Sequence, residues 1–563
     1  MYASDPSPTA SLGRYLRWQM GLALLGVVVL TALLGFAAYN VTTEYAPARG
    51  GVFREGVAGN PQYINPLLCQ AHEVDQDLCK LLFRGLTRLD ASGRAVPDLA
   101  ESWSSTPDGL IYTFRLRAGL FWDDGQPVTI DDVLFTVQMM QAEDTVVVPD
   151  LAELWRSVDV ERVDDRTVRF ILDEPFAPFL DYTTVGLLPQ HVWRDTPPSA
   201  LTESPLNQTP VGNGPMRVVQ SSAEMMRLES NPFSGMDAGY ISALEFHFYP
   251  DYPSIYAAYL EGEIDGISRI LPADLELAQR QEDLQFFSSL QSVFVTIVLN
   301  MDNPDIPFFQ EKSVRQALYY GLDREQLVAD AVQGQGVVAD SPVPLINWAH
   351  ADNLPQYGYD PDRASRLLEE AGWIDNDGDG VREKDGRPLQ FILLANDDPI
   401  RIALIQQISA AWRQIGVDAR PQQVSFAGLV NDFLAPRRFD AAVLTWSITG
   451  DPDPFPLWHS SQAEEGGQNY SAWKNEAADQ IMEQARSTVD REKRRALYAE
   501  FQRLFVEDAA AILLYNPVYT YGVSNRVKNV QIGPLNTPAD RFATFPQWYI
   551  VTRRVPVNQQ PGP

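Results

Sequence analysis

Histidine and cysteine are scarce in this chain, and each shortage closes off a class of chemistry. The 563 residues hold five histidines, His72, His191, His247, His350 and His459, with no His-Glu-x-x-His and no pair spaced for zinc. The only cysteines are Cys69 and Cys79, too few for a disulfide scaffold or a four-cysteine metal site. They leave two readings, one local bridge in an oxidising compartment or two buried thiols, and the bridge is the expectation. Positive charge is also short. Lys and Arg number 44 against 74 Asp and Glu, a net charge of −30, so no basic stripe exists to hold nucleic acid or an anionic membrane. There is no Gly-x-Ser-x-Gly elbow, phosphate loop or dinucleotide fingerprint, and no internal repeat or low-complexity block. A carboxylate pair could hide among so many acids, but nothing specific marks an enzyme, and none is expected.

What is present begins with an apolar run. Arg14 and Arg17 precede Gly21–Ala38, 18 residues without a charge. At about 1.5 Å per residue such a run nearly spans a bilayer's hydrocarbon core. Arginines before it and none soon after place the N-terminus inside and the acidic body outside. No cysteine follows closely, which excludes a lipoprotein anchor. An uncleaved anchor and a cleaved signal both fit, and the anchor is the expectation.

The body, 563 residues less this run, exceeds what one core serves, so at least two lobes are expected. Strand-like runs occur at 111–116, 167–172, 243–250, 292–300, 389–395 and 440–446, rich in β-branched and aromatic residues. Amphipathic helices alternate with them. Thr129 and Asp132 form a capping-box pattern before Val133, Val137 and Met140. Ile400, Leu404, Ile408, Trp412 and Ile415 line one face of a second helix, and Leu497, Phe501 and Phe505 line a third. The mixture predicts α/β lobes.

One stretch imitates a calcium loop. In "DNDGDGVREKDG" Asp375, Asp377 and Asp379 take the first, third and fifth ligand positions, with Gly380 at the sixth. The twelfth position, which needs a bidentate glutamate, is Gly386. A polar turn between helix and strand explains the same residues.

Six segments, in order, carry a resemblance. They are "GLTRLDASGRAVPDLAESWSSTPDGLIYTFRLRAGLFWDDGQPVTIDDVLFT", "TPVGNGPMRV", "AAYLEGEIDGI", "SVRQALYYGLDREQLV", "YDPDRASRLLEEAGWIDNDGDGVREKDGRPL" and "QNYSAWKNEAADQIMEQARSTVDREKRRALYAEFQRLFVED". Together they resemble the peptide/nickel-type (family 5) extracytoplasmic solute-binding proteins of ABC importers, over roughly residues 50 to 550. The resemblance implies an α/β, two-lobe periplasmic-binding-protein-like clamshell with an inserted subdomain in lobe I, preceded by one transmembrane helix. The implied divisions are a cytoplasmic 1–20, an apolar segment 21–39, a linker 40–47, lobe I at 48–298 plus 515–552 with 91–210 inserted, lobe II at 299–514, and a tail 553–563. The implied crossings are 295–301 and 511–523. In such proteins the acidic stretch is a helix exit into a hairpin, so no metal and no cofactor is expected.

The implied function is solute capture outside the membrane and delivery to ABC permease subunits, by a body expected to be monomeric. Peptides come first among solutes; oligosaccharides and metal chelates, or a tethered sensor, are the alternatives. Peptide-binding relatives place an aspartate soon after a tryptophan to pair with the peptide ammonium. Trp446 matches, Thr449 stands where the acid is expected, and Asp451, then Asp453, are the acids within reach. Both could instead only shape Asp-Pro turns. Further ligand candidates are Gly212, Asn213 and Gly214 in "VGNGP", where a turn alone is an alternative, and Tyr63 and Asn65.

Overall fold

The computed structural model describes residues 8–236 and 239–556. A single helix, Pro8–Thr42, contains the apolar run. Its stretch Tyr15–Thr42 is long and apolar enough to cross a membrane, and its most apolar part is not buried against the body. The segment expected as a free linker, 40–47, is otherwise employed. The helix runs to Thr42, and Thr43–Ala48 forms an antiparallel ribbon with Val551–Pro556, the stretch expected to begin a tail. Backbone pairing draws both ends together, and Arg554 lies over the rings of Tyr39 and Tyr45 at 4.7 and 4.9 Å.

Beyond the ribbon, two mixed sheets share one long strand, Ile512–Ser524. Its second half, Val518–Ser524, pairs antiparallel with Leu284–Leu290. The first sheet continues through Gly266–Ile267, Val52–Ala58, Ala243–Tyr249, Met225–Ser230 and Met216–Ser221. The first half of the long strand pairs with Val293–Leu299, and that sheet continues through Ala441–Ser447, Gln390–Asn396 and Asp418–Val424. The chain thus passes between sheets at two places. One lies at Gln291–Ser292, between strands Leu284–Leu290 and Val293–Leu299; the other lies near Pro517. The first was expected at 295–301. It comes earlier because Val293 is already in register with Ser447, so all of Val293–Leu299 belongs to the second sheet.

A third unit is a four-stranded antiparallel sheet in the order Ala100–Ser105, Ile111–Leu116, Thr167–Leu172, Val158–Asp164. It has its own core, in which Phe114, Trp155, Phe170 and Phe179 pack ring to ring. Period-two alternation explains the strand Thr167–Leu172, which buries Val168, Phe170 and Leu172. Helix Ile130–Gln141 covers this core, and the capping box of Thr129 and Asp132 forms. The two sheets have separate cores as well, one around Phe53, Phe246 and Trp548, the other around Trp412, Phe501 and Phe505.

Helix Pro399–Arg413 shows why the sequence periodicity was readable. Asp398 accepts from the Arg401 N–H, and Leu404, Ile408 and Trp412 are fully buried on one face. Trp412 Nε1 donates to the Leu318 carbonyl, so even its polar atom is satisfied inside the core.

Candidate functional site

The loop that leaves strand Ala441–Ser447 carries the residues the sequence singled out, and it meets the four-stranded unit. Gly450 has φ +67, and a Cβ there would lie 2.3 Å from Asp181 Oδ2, so only glycine fits. The next residue, Asp451, donates its backbone N–H to the same Asp181 oxygen at 2.6 Å, from 270 residues away in sequence. Asp181 sits on the short helix Phe179–Tyr182 of the four-stranded unit. Burial pushes its carboxyl up to about 7, with the Asp451 charge adding to the shift.

Asp451 was expected to meet a solute ammonium, but its carboxylate is already engaged. Oδ2 pairs with Arg494 Nε at 2.8 Å, and Oδ1 accepts from the Tyr498 hydroxyl at 2.6 Å. Arg494 and Tyr498 lie four apart on helix Arg491–Glu507, hence on one face. Asp453 pairs with Arg486 at 3.1 Å and is held up to about 6, by burial first. Arg486 in turn lies over Phe176 and Phe455, and its carbonyl accepts from the Ala177 N–H. Both aspartates are therefore posts in the contact between the four-stranded unit and the second sheet body. Each also turns the chain locally, since Asp451 Oδ1 accepts from the Asp453 N–H at 3.3 Å.

A second group of polar atoms lies at the crossing itself. Thr445 and Trp446 stand opposite Val295 and Phe294, the third and second residues of strand Val293–Leu299. Arg401, at the N-terminal end of helix Pro399–Arg413, donates from one amino group to Thr445 Oγ1. Its other, Nη1, is buried without a partner, as is Trp446 Nε1. Burial lowers the Arg401 pKa, opposed by Tyr515 on the shared strand. An arginine with an unused donor so near the chain crossing is poised to receive an acceptor. Sequence reasoning reached Trp446 and missed Arg401, Asp181 and Arg494. Arg401 reads as one charge on an amphipathic helix, and nothing near Asp181 in sequence signals its distant contact.

The remaining candidates serve the first sheet body. Gly212 and Gly214 lie hard against the end of helix Glu73–Leu82; a Cβ would come within 2.1 Å of the Leu82 carbonyl or 2.3 Å of the Leu81 carbonyl. Asn213, fully buried, accepts the Arg84 N–H at 2.7 Å. "VGNGP" is thus a close backbone seam at a helix end. Tyr63 is half-buried beside His72, and its N–H, with that of Gln62, goes to buried Asp75. Asn65 is buried and closes a turn onto the Leu67 N–H. Cys69 and Cys79, expected as a bridge, lie together as two buried free thiols; burial, with Cys69 alongside, pushes the Cys79 thiol far up.

The acidic stretch builds its own turn. Asp375 accepts from the N–H groups of Gly378 and Gly380, Asp377 from that of Asp379, and Asp379 from that of Val381. Asp375, Asp377 and Glu383 remain clustered at the surface.

Around Asp451, Asp453, Arg401 and Trp446, among the described residues, the contacts are ion pairs and hydrogen bonds of the kind that hold segments together. The arrangement is two bodies and a third unit meeting around a chain crossing, with unmet donors there. The family described as bacterial extracellular solute-binding proteins, family 5 Middle, matches residues 94–468. The chain belongs to this family. It is a non-enzymatic solute-binding component of the ABC importer type. The Bacillus subtilis oligopeptide-binding protein AppA is 29% identical over 511 residues, 88% of this chain and 92% of that one. The structure of AppA in complex with a nonapeptide superposes with a TM-score of 0.73 at 28% identity, covering 90% of this chain and all of the other. The Campylobacter jejuni NikZ structure, in complex with Ni(L-His), gives 0.74 at 27% identity, covering 88% and 99%.

Proposed function

We propose that this family 5 member captures peptides outside the membrane and presents them to an ABC permease, by closing two lobes over them. The two sheet bodies are the lobes, expected at 48–298 plus 515–552 and 299–514 and, with the crossings at 291–292 and near Pro517, at about 48–291 plus 518–552 and 292–517; the four-stranded sheet is the core of the subdomain inserted at 91–210. The carrying observation is the pair of unmet donors, Arg401 Nη1 and Trp446 Nε1, beside the crossing. A carboxylate or peptide carbonyl satisfies both; an uncharged sugar leaves the guanidinium charge unanswered. The printed names of relatives, with oligopeptide and dipeptide binding among them, favour the same solute class. Asp451 and Asp453 act in this reading at closure. An ammonium that reaches Asp451 must share it with Arg494. Solute that touches both lobes stabilises the closed state, which the permease recognises.

The body is held at the outer face by helix Pro8–Thr42 as an uncleaved anchor. Two features support this, the length and hydropathy of Tyr15–Thr42 and the packing of Arg554 from the C-terminal strand over Tyr39 of the helix. Intact-mass measurement from native membranes is expected to retain the helix; a protein starting near Tyr39 overturns the anchor.

Titration calorimetry tests the solute class. Free short peptides should bind, and Arg401→Gln should weaken them about tenfold or more, the worth of a hydrogen bond to a charged group. Amidation of the peptide C-terminus should weaken wild-type binding similarly. Stronger binding of oligosaccharides or metal chelates than of peptides overturns the solute class.

A further inference from the structure

The contact between the inserted subdomain and the second sheet body has a cationic hollow at its edge. A cavity of about 260 Å³ is lined by Ser92 and Arg94 from the subdomain side and by Trp348, Arg491, Glu492 and Arg495 from the other. Three arginines thus line one hollow in a chain of net charge −30. Arg491 reaches across to donate to the Ser92 carbonyl at 3.0 Å, and its guanidinium lies 4.3 Å from the centre of the Trp348 ring. Among the described residues no carboxylate oxygen lies within ion-pair distance of Arg491 or Arg495, and Arg94 has Asp90 at 3.5 Å. Asp90 Oδ1 takes the N–H groups of Ser92 and Arg94 and the Ser92 hydroxyl, and Oδ2 faces Arg94, so Asp90 offsets part of the charge from outside the lining. Glu492 contributes one negative charge to the lining, so an excess of two remains among the lining groups. The nearby Asp451 charge is spent on Arg494.

Across the contact the Arg94 charge acts on Arg491. The Arg491 pKa is lowered, by burial first and then by Arg94 and Arg494, with Asp90 and Asp181 opposing in part. A tetrahedral or carboxylate-sized anion fits the volume, and planar guanidinium forks suit its oxygens in bidentate fashion.

We propose that this hollow is an oxyanion site, distinct from the solute crossing, in which one anion bridges Arg94 of the subdomain to Arg491 and Arg495 of the opposite body and so favours closure. The bridging role rests on the two-lobe reading above; the site itself does not. An anion held from both sides binds the closed form better than the open one, which shifts the population towards closed.

Inorganic sulfate is the probe. Wild-type protein, without added solute, is titrated with sodium sulfate against sodium chloride at matched ionic strength, with thermal unfolding and small-angle scattering as readouts. Sulfate should raise the melting temperature above the chloride control and reduce the radius of gyration, with saturation at millimolar concentration. Arg491→Gln/Arg495→Gln should remove both differences, and Arg94→Gln, on the opposite side, should weaken sulfate about tenfold. Equal sulfate effects in wild type and the double variant mean general salting and overturn the site, as does no effect in wild type. Full sulfate affinity in Arg94→Gln overturns the bridge. None of these readouts uses a peptide, so failure here is separable from failure of the solute assignment.

Discussion

Two buried clusters of this protein contain the same inventory, two carboxylates, one arginine and one tyrosine, yet they are wired differently. Inside the first sheet body, Arg541 reaches both acids directly. It lies 3.0 Å from Glu55 and 2.5 Å from Asp77, and Tyr521 donates to Glu55 at 2.8 Å. All four side chains are buried in one core. At the junction, Arg494 meets only Asp451, and Asp181 across the contact depends on the Asp451 backbone N–H. The first cluster cannot lose a member without unfolding, because its parts come from a strand, a helix and the C-terminal segment of one core. The second loses a member whenever the units part. Burial pushes one acid up to about 7 in each, Glu55 and Asp181. Asp181, and with it Asp453, raised to about 6, lies at the contact between units, so that contact and not the Glu55 core is where pH acts on the proposed closure.

The sharpest way to break this contrast is to remove the arginine in each. Arg541→Ala strands Glu55 and Asp77 in the core, and should cost about 3–5 kcal/mol of stability. Chemical denaturation should show the loss with solute present or absent. Arg494→Ala or Asp451→Asn should cost less, about 2–3 kcal/mol, and the loss should shrink in conditions that hold the units apart. Equal losses for Arg541→Ala and Arg494→Ala would erase the distinction.

The pH response is smaller. Asp181, raised to about 7 in the closed contact, binds a proton there that an exposed aspartate gives up near pH 4. The closed state therefore holds more protons between these values, and its stability falls as pH rises through them. The stabilisation is fully present below about pH 4 and lost as pH passes 7, at no more than about 1.4 kcal/mol per pH unit between them. Scattering between pH 5 and 8 should show opening in wild type and a shallower profile in Asp181→Asn, where Asp453 alone still titrates. A flat wild-type profile would place Asp181 in the same sealed class as Glu55.

The smallest effect is a null. The Asp375 carboxylate is committed to the N–H groups of Gly378 and Gly380, and Glu383 to that of Asn376. Millimolar calcium should leave the melting temperature unchanged; a clear rise by mass action would show a site in the turn.

Much of the fold was readable locally. The runs 111–116 and 167–172 form strands with those bounds, and the faces carrying Leu404, Ile408 and Trp412, or Phe501 and Phe505, are buried as periodicity requires. Family membership was readable because six local patterns occur in order. The candidate site was less legible. Trp446 and Asp451 stand out beside their turn, but no local pattern says that Asp451 is already answered by Arg494 from a later helix. Nothing in the sequence singled out Arg94, and only the contact between units makes it part of a cationic hollow.

The sequence by itself determined the apolar helix, the α/β elements, the scarcity of catalytic and metal-binding groups, and the family. Those follow from periodicity, composition and turn chemistry, which act over a few residues. Only the tertiary structure decided which charges are spent and which remain. Asp181 and Asp451 lie 270 residues apart, and Glu55 and Arg541 lie 486 apart. A charge's partner is set by where the backbone brings two segments together. Its pKa is set by how much water that meeting removes, and neither is written in neighbouring residues.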